Sequence, residues 1–189
     1  MVFDYQASRS GEHAKTFLEG WAGALMVDDY AGYKALFRSG EIIELACWAH
    51  ARRKFFELQA QSAHPLAAAA LIKIGELYAI EREAQGFTSE ARAALRAHAA
   101  LPRLEALQAW LLATRSTVAP GSGIAKAIDY SLKRWSALVR YAQSGHLPIV
   151  SVQPLHLAAY RTTEQYSPPA AAAHRCADWA RSAVSPGCL

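Results

Sequence analysis

The sequence predicts an α/β protein, with short strands near its start and helices over most of the remainder. Residues 2–6 (Val-Phe-Asp-Tyr-Gln) alternate between apolar and polar, which is typical of a half-buried strand. Residues 24–27 (Ala-Leu-Met-Val) form the continuous apolar run of a buried strand, and residues 41–46 are a third candidate strand. From about residue 65 onward, apolar residues recur with helical spacing only.

Short helices are predicted between these strands. Ser10 can cap a helix that carries Glu12 in its first turn. The apolar face of that helix consists of Ala14, Phe17, Leu18 and Trp21. Residues 30–37 predict a short helix or turn, and a further helix begins near Trp48.

The later part of the chain predicts helices followed by a different tail. Thr88 or Ser89 can cap a helix that runs to Leu95, and Pro102 kinks or restarts it. One face of a single helix is then marked by Ile124, Ile128, Leu132, Trp135 and Val139. After Ile149 prolines become frequent and periodicity is poor, so we assign no fold there.

Composition restricts the class of protein more than its function. Of the 189 residues, 52% are hydrophobic and 19% are charged, as in ordinary globular domains. No apolar run reaches the roughly 18 residues of a membrane helix, and no signal peptide is evident, so we expect a cytoplasmic protein without a membrane partner. The net charge of +4 permits a nucleic-acid partner without requiring one.

Two acidic residues follow the second predicted strand. Asp28 and Asp29 lie where α/β folds place functional carboxylates, at the carboxyl end of a buried strand. A carboxylate there can bind Mg²⁺, which prefers hard oxygen ligands. The alternative is a simple turn or helix cap, since aspartate is favoured in both. Spacing alone favours the turn.

A second cluster surrounds the start of the helix near Trp48. Cys47 and His50 have a zinc-like spacing, but a structural zinc site needs four ligands and no second pair is well placed. Cys47 also fits a small buried residue. Arg52, Arg53 and Lys54 form a basic run that can contact phosphates or simply face solvent.

Several motifs, taken in order, resemble the transposases of the insertion sequence 66 family. The resemblance covers roughly residues 2–149, and its strongest motif is Cys47-Trp48-Ala49-His50-Ala51-Arg52-Arg53-Lys54-Phe55. The other motifs are Phe3-Asp4-Tyr5, Ser8 to His13, Met26 to Tyr33, Ala127 to Trp135 and Ser144 to Ile149.

The resemblance implies a partial ribonuclease-H-like catalytic core over residues 1–57, a helical insertion over residues 58–146 and a divergent tail over residues 147–189. In that family, three acids (Asp, Asp, Glu) hold two Mg²⁺ ions that promote cleavage and joining of DNA. The second Asp of the motif falls on Asp28. The resemblance also places Cys47 and His50 as structural residues near the site.

The sequence departs from the family pattern at the other two acids. The family's first Asp lies on a strand upstream of the matched segment, and its Glu follows Leu-Pro-Ile within Asp-Asn-Asn-Pro-x-Glu-Asn. Here Leu147-Pro148-Ile149 is followed by Val-Ser-Val-Gln-Pro-Leu instead, and Glu164 has neither the spacing nor the context. We therefore expect a broken transposase segment, with a frameshifted or recombined end, that is inactive alone because one Asp cannot hold two metal ions.

Three interpretations follow. The first is a catalytically inactive transposase fragment, related to enzymes that act on transposon-end DNA. The second is a DNA-binding or transposase-interacting module that uses Arg52 and Arg53 and assembles with a full-length transposase or a second copy. Bound to DNA, it would lie in the bacterial nucleoid. The third, a helical scaffold unrelated to nucleic acid, leaves the ordered motifs unexplained.

Overall fold

A computed structural model describes residues 8, 10–151 and 157–160 of the chain, the last four by their backbone alone. The chain divides into two compact units: residues 1–45 with 151–189 form the first unit, and residues 46–150 form the second. Within the described residues, no helix is long and apolar enough to cross a membrane.

The first unit contains a three-stranded sheet in the order β2-β1-β3. The strands are β1 (Gly23–Val27), β2 (Ile42–Ala46) and β3 (Leu157–Tyr160). The Gly23 N–H donates to the Glu41 carbonyl (3.1 Å), so the starts of β1 and β2 lie side by side and these strands run parallel. β3 is antiparallel to β1, with Ala24 opposite Tyr160.

The position of β1 in the middle of the sheet explains its unbroken apolar sequence. All five residues of β1 are buried. The core of this unit includes Leu18, Trp21, Leu25, Val27, Leu36 and Ile42. Among the strands that the structure describes, β2 lies at an edge of the sheet, and its Ile43 is 41% exposed. The neighbouring Ile42 and Leu45 of β2 are buried.

Two short helical segments pack together beside the sheet. They are α1 (Gly11–Phe17), whose N-cap Ser10 accepts a hydrogen bond from the Glu12 N–H (3.3 Å), and a 3₁₀ helix over Ala31–Ser39. A Cβ on Gly11 would overlap the Gly32 carbonyl, so this close approach requires glycine at position 11.

The second unit consists of helices. They are α2 (Trp48–Ser62), α3 (Pro65–Glu83), α4 (Ser89–Leu95), α5 (Leu101–Thr117), α6 (Gly123–Lys133) and α7 (Trp135–Val139). A π-helical turn over Arg96–Ala100 joins α4 to α5, and a 3₁₀ turn over Arg140–Gln143 follows α7. The core is mainly aliphatic, with Ile74, Leu77, Leu104, Leu107, Leu111 and Ile128 nearly inaccessible, and it also contains the rings of Trp48 and Phe55.

Trp48 joins the beginning and the end of this helical unit. Its backbone N–H donates to the Ile149 carbonyl (3.1 Å), and its indole N–H donates to the Leu138 carbonyl (2.9 Å). Its ring also packs edge-on against Trp135, with centroids 5.9 Å apart. The chain therefore enters and leaves the unit at neighbouring points.

The predicted strands at 24–27 and 41–46 are confirmed as β1 and β2. The α/β class is likewise confirmed, and the ribonuclease-H-like assignment stays a prediction. The strand predicted at 2–6 lies outside the described residues. The domain boundaries predicted after residues 57 and 146 also stay a prediction.

Three local expectations are corrected. α1 ends at Phe17, before Leu18 and Trp21, because the chain turns through Gly20 with φ +71°. The helix expected through Val139 is interrupted at Arg134, whose φ and ψ of −102° and 11° are not helical. β3 lies in the tail for which no fold was predicted.

Candidate functional site

Asp28 and Asp29 lie directly after β1, half-buried at its carboxyl end. The Asp28 Oδ1 accepts a hydrogen bond from the Tyr30 N–H (3.1 Å). This contact between a carboxylate and the backbone two residues on is that of an Asx turn. The structure thus gives Asp28 the turn role that the sequence left open, and the metal-binding role stays a prediction.

Within residues 8, 10–151 and 157–160, no three His, Cys, Asp or Glu side chains form a group that could hold a metal ion. Two Mg²⁺ ions need several carboxylates from different elements. The described residues therefore do not fit a two-magnesium centre by themselves, and no reaction step is derived through one.

Cys47 and His50 lie at the junction between β2 and α2. Cys47 is 5% exposed and occupies the N-cap position of α2, and the His50 N–H donates to its carbonyl (3.2 Å). Burial raises the pKa of the Tyr78 phenol, and the nearby Cys47 raises that pKa further. Cys47 is thus buried at the start of α2, close to α3.

Consecutive residues of the basic run on α2 point about 100° apart, and each contacts a different neighbour. Arg52 stacks over the exposed Phe56 ring (5.7 Å), and Arg53 pairs with Glu57 (2.7 Å). The Lys54 ammonium lies over the Tyr130 ring of α6 (4.5 Å). All three side chains are exposed, but they face different neighbours.

A buried arginine that sequence reasoning missed organises the helical unit. Arg96, in the π-helical turn, is 1% exposed and binds both carboxylate oxygens of Glu81, at 2.8 and 2.6 Å. Its Nη1 also donates to the carbonyls of Tyr141 (2.9 Å), Ser144 and Leu147 (2.8 Å). One side chain therefore joins α3 to the backbone of the segment 141–147.

Other contacts hold the same segment. Arg92 donates to the Gly145 carbonyl (3.0 Å), and Ser89 hydrogen-bonds the His146 ring (3.1 Å). A Cβ on Gly145 would overlap the Ser89 carbonyl. Burial, together with the Glu81 charge, raises the pKa of the Tyr141 phenol, whose ring lies 5.2 Å from the Arg96 guanidinium.

A pattern in the sequence could have revealed Arg96. The positions Arg96, Ala100, Leu104, Leu107 and Leu111 repeat with helical spacing, and all of them are buried. Arginine on an apolar face predicts a buried ion pair. The spacing alone does not identify its partner, because Glu81 lies on another helix.

The first unit also holds a cavity of about 520 Å³. Charged residues at its lining include Glu12, Lys15, Glu19 and Glu41, and apolar ones include Trp21 and Leu36. Asp28 does not line it. This cavity is therefore separate from the carboxylate after β1.

Comparisons with known proteins bear on these features. The family described as "Transposase IS66 family" matches residues 1–151. Three similar proteins come from Sinorhizobium fredii (strain NBRC 101917 / NGR234). "Uncharacterized protein y4hP" is 31% identical over 162 residues (77% of this chain, 29% of that protein), and "Uncharacterized protein y4jD" is 34% identical over 153 residues (78% and 30%).

The third relative, "Uncharacterized protein y4qI", is 32% identical over 158 residues, which is 80% of this chain and 29% of that protein. The chain thus spans less than a third of the length of each relative. No solved structure matches it significantly.

Proposed function

The chain belongs to the IS66 transposase family, and from this premise we propose that it is part of a transposase catalytic domain in which Asp28 supplies one carboxylate of a magnesium site. The observation that carries the proposal is the family match over residues 1–151, with Asp28 at the carboxyl end of the middle strand. That position supports a partial ribonuclease-H-like core.

The same proposal assigns no strand-transfer activity to this 189-residue chain alone. Of the family's three acidic residues, we match the second to Asp28. Leu147-Pro148-Ile149 is not followed by the family's Glu motif. A lone carboxylate does not replace the hydration shell of two Mg²⁺ ions. Joined product from terminal-repeat DNA, purified chain and Mg²⁺ would contradict this expectation.

The role of Asp28 is tested in a full-length relative such as y4jD. The residue aligned with Asp28 is changed to Asn, and the matched control makes the same change at the position aligned with Asp29. We expect transposition of a marked element to be abolished by the first change and retained after the second. Transposition that survives the first change contradicts the role of Asp28, and a relative that never transposes its element contradicts the transposase function.

A second candidate function is a non-catalytic DNA-binding or transposase-interacting module. The exposed basic residues Arg52, Arg53 and Lys54 on α2 favour it, since side chains of this kind can contact phosphates. Its partners are DNA and either a full-length transposase or a second copy, in the bacterial cytoplasm or nucleoid. A gel-shift titration tests it, because binding driven by phosphates weakens steeply with salt.

A further inference from the structure

The packing of α2 against α6 brings together lysines that are far apart in the sequence. The close approach of Gly123 to the Leu58 side chain and the contact of Lys54 with Tyr130 place the two helices along one another. On α6, Lys126 and Lys133 lie four residues before and three residues after Tyr130, so they flank its ring along the helix.

The lysines lie on the solvent side of α6. Its opposite face is buried through Ile124, Ala125, Ala127, Ile128 and Ser131. Lys54, Lys126 and Lys133 are all exposed. The separation of Lys126 and Lys133 along the helix is about 10 Å, at about 1.5 Å per residue. That distance matches about three steps of 3.4 Å along a DNA strand.

Two carboxylates of these helices pair with arginines. Asp129 pairs with Arg115 of α5 (2.6 Å), and Glu57 pairs with Arg53 (2.7 Å). Lys54, Lys126 and Lys133 together with these two arginines outnumber the two carboxylates, so the face carries an excess of positive charge. Lysine ammonium groups contact phosphates as point charges and need no fixed geometry.

We propose that Lys54, Lys126 and Lys133 form a surface that binds the phosphate backbone of duplex DNA. This proposal rests on the transposase function given above. It differs from the basic run on α2 because two of its three lysines belong to α6. Tyr130 positions the Lys54 ammonium through the ring contact at 4.5 Å. Arg53 contributes less, because it pairs with Glu57.

The chain offers a matched control. It has six lysines, of which Lys15 and Lys34 belong to the first unit and Lys73 belongs to α3. The test variant K54Q/K126Q/K133Q and the control variant K15Q/K34Q/K73Q therefore carry the same net charge. Circular dichroism melting of both variants shows whether the fold is kept.

Binding of the full chain to a labelled 20-base-pair duplex is measured by fluorescence anisotropy over a salt series. Each phosphate contact contributes about 0.9 to the slope of log K against log salt. We expect the test variant to lower that slope by about 2 to 3 and to weaken binding at low salt by about tenfold or more. The control variant should keep the slope of the original chain.

The outcomes separate the two proposals. Equal effects of both variants, or no effect of either, overturn the lysine surface while DNA binding itself stands. Failure of the original chain to bind the duplex at low salt overturns both the surface and the DNA-binding module. Neither result bears on the catalytic proposal, which is tested separately by transposition in the full-length relative.

Discussion

Replacing Arg96 by Met should destabilise the helical unit strongly. Arg96 has a side chain that is 2% exposed and is paired with a Glu81 side chain that is 16% exposed. Removal of the guanidinium leaves the Glu81 carboxylate without that partner. It also takes a donor from the carbonyls of Ser144 and Leu147. Breaking a buried pair from one side costs about 3–5 kcal/mol.

The free energy of unfolding is measured by urea titration with far-ultraviolet circular dichroism, which reports mainly the second unit because α2–α7 lie there. Arg115→Met is the matched control, since Arg115 also pairs with a carboxylate at 2.6 Å, in a pair whose side chains are 30% and 53% exposed. We expect a loss below about 1 kcal/mol there.

A double-mutant cycle separates the charge pair from the carbonyl contacts. Glu81→Met, combined with Arg96→Met, should be less destabilising than the sum of the single changes, because the double variant leaves no unpaired buried charge. A loss for Arg96→Met no greater than that for Arg115→Met would refute the reasoning. The reasoning would also be refuted if the losses of the two single variants added up to the loss of the double variant, since Arg96 and Glu81 would then have no energetic coupling.

Three further changes test local features of the second unit by thermal and urea unfolding. Trp48→Phe removes the donor to the Leu138 carbonyl and should cost about 1–3 kcal/mol; an unchanged midpoint would show that this bond contributes little. Gly145→Ala drives a Cβ into the Ser89 carbonyl and should cost about 1–3 kcal/mol, with an unperturbed melting curve as the contrary result. Ala63→Gly should stabilise by about 0.5–1 kcal/mol, because Ala63 ends α2 at φ 48°, and a lower melting temperature would contradict this.

Elements with local signals were predictable from the sequence. β1 was predictable because a middle strand is covered on both faces and so needs an unbroken apolar run. The caps at Ser10 and Thr88 were predictable because a side-chain oxygen there meets a backbone N–H within three residues. Each of these features depends on neighbours along the chain.

Features that depend on distant residues were not predictable. β3 forms because its backbone pairs with β1, and its sequence Leu-Ala-Ala-Tyr has no alternation to mark it. Pro102 lies in the first turn of α5, as the predicted restart implies, but the π-helical turn before it, in which the Leu101 N–H donates to the Arg96 carbonyl, was not predicted. The contact of Lys54 with Tyr130 depends on the packing of α6 beside α2.

The candidate site was predictable only in part. The position of Asp28 after a buried strand follows from sequence, but its hydrogen bond to the Tyr30 N–H depends on the turn that forms there. The Arg96 network joins residues from three stretches of chain, so the apolar spacing identifies the arginine and leaves its carbonyl partners unknown.

The hydrogen bond between Trp48 and Ile149 has an evolutionary consequence. It holds the Trp48 N–H and the Ile149 carbonyl 3.1 Å apart, so a few residues of chain are enough to join the two ends of the unit. A very short connection could therefore replace everything from α2 to the 3₁₀ turn after α7 without lengthening the path of the backbone. Segments with adjoining ends are tolerated as inserted blocks. The helical unit can accordingly be inserted, lengthened or deleted as one segment, without a change in the strands that come before and after it in the sequence.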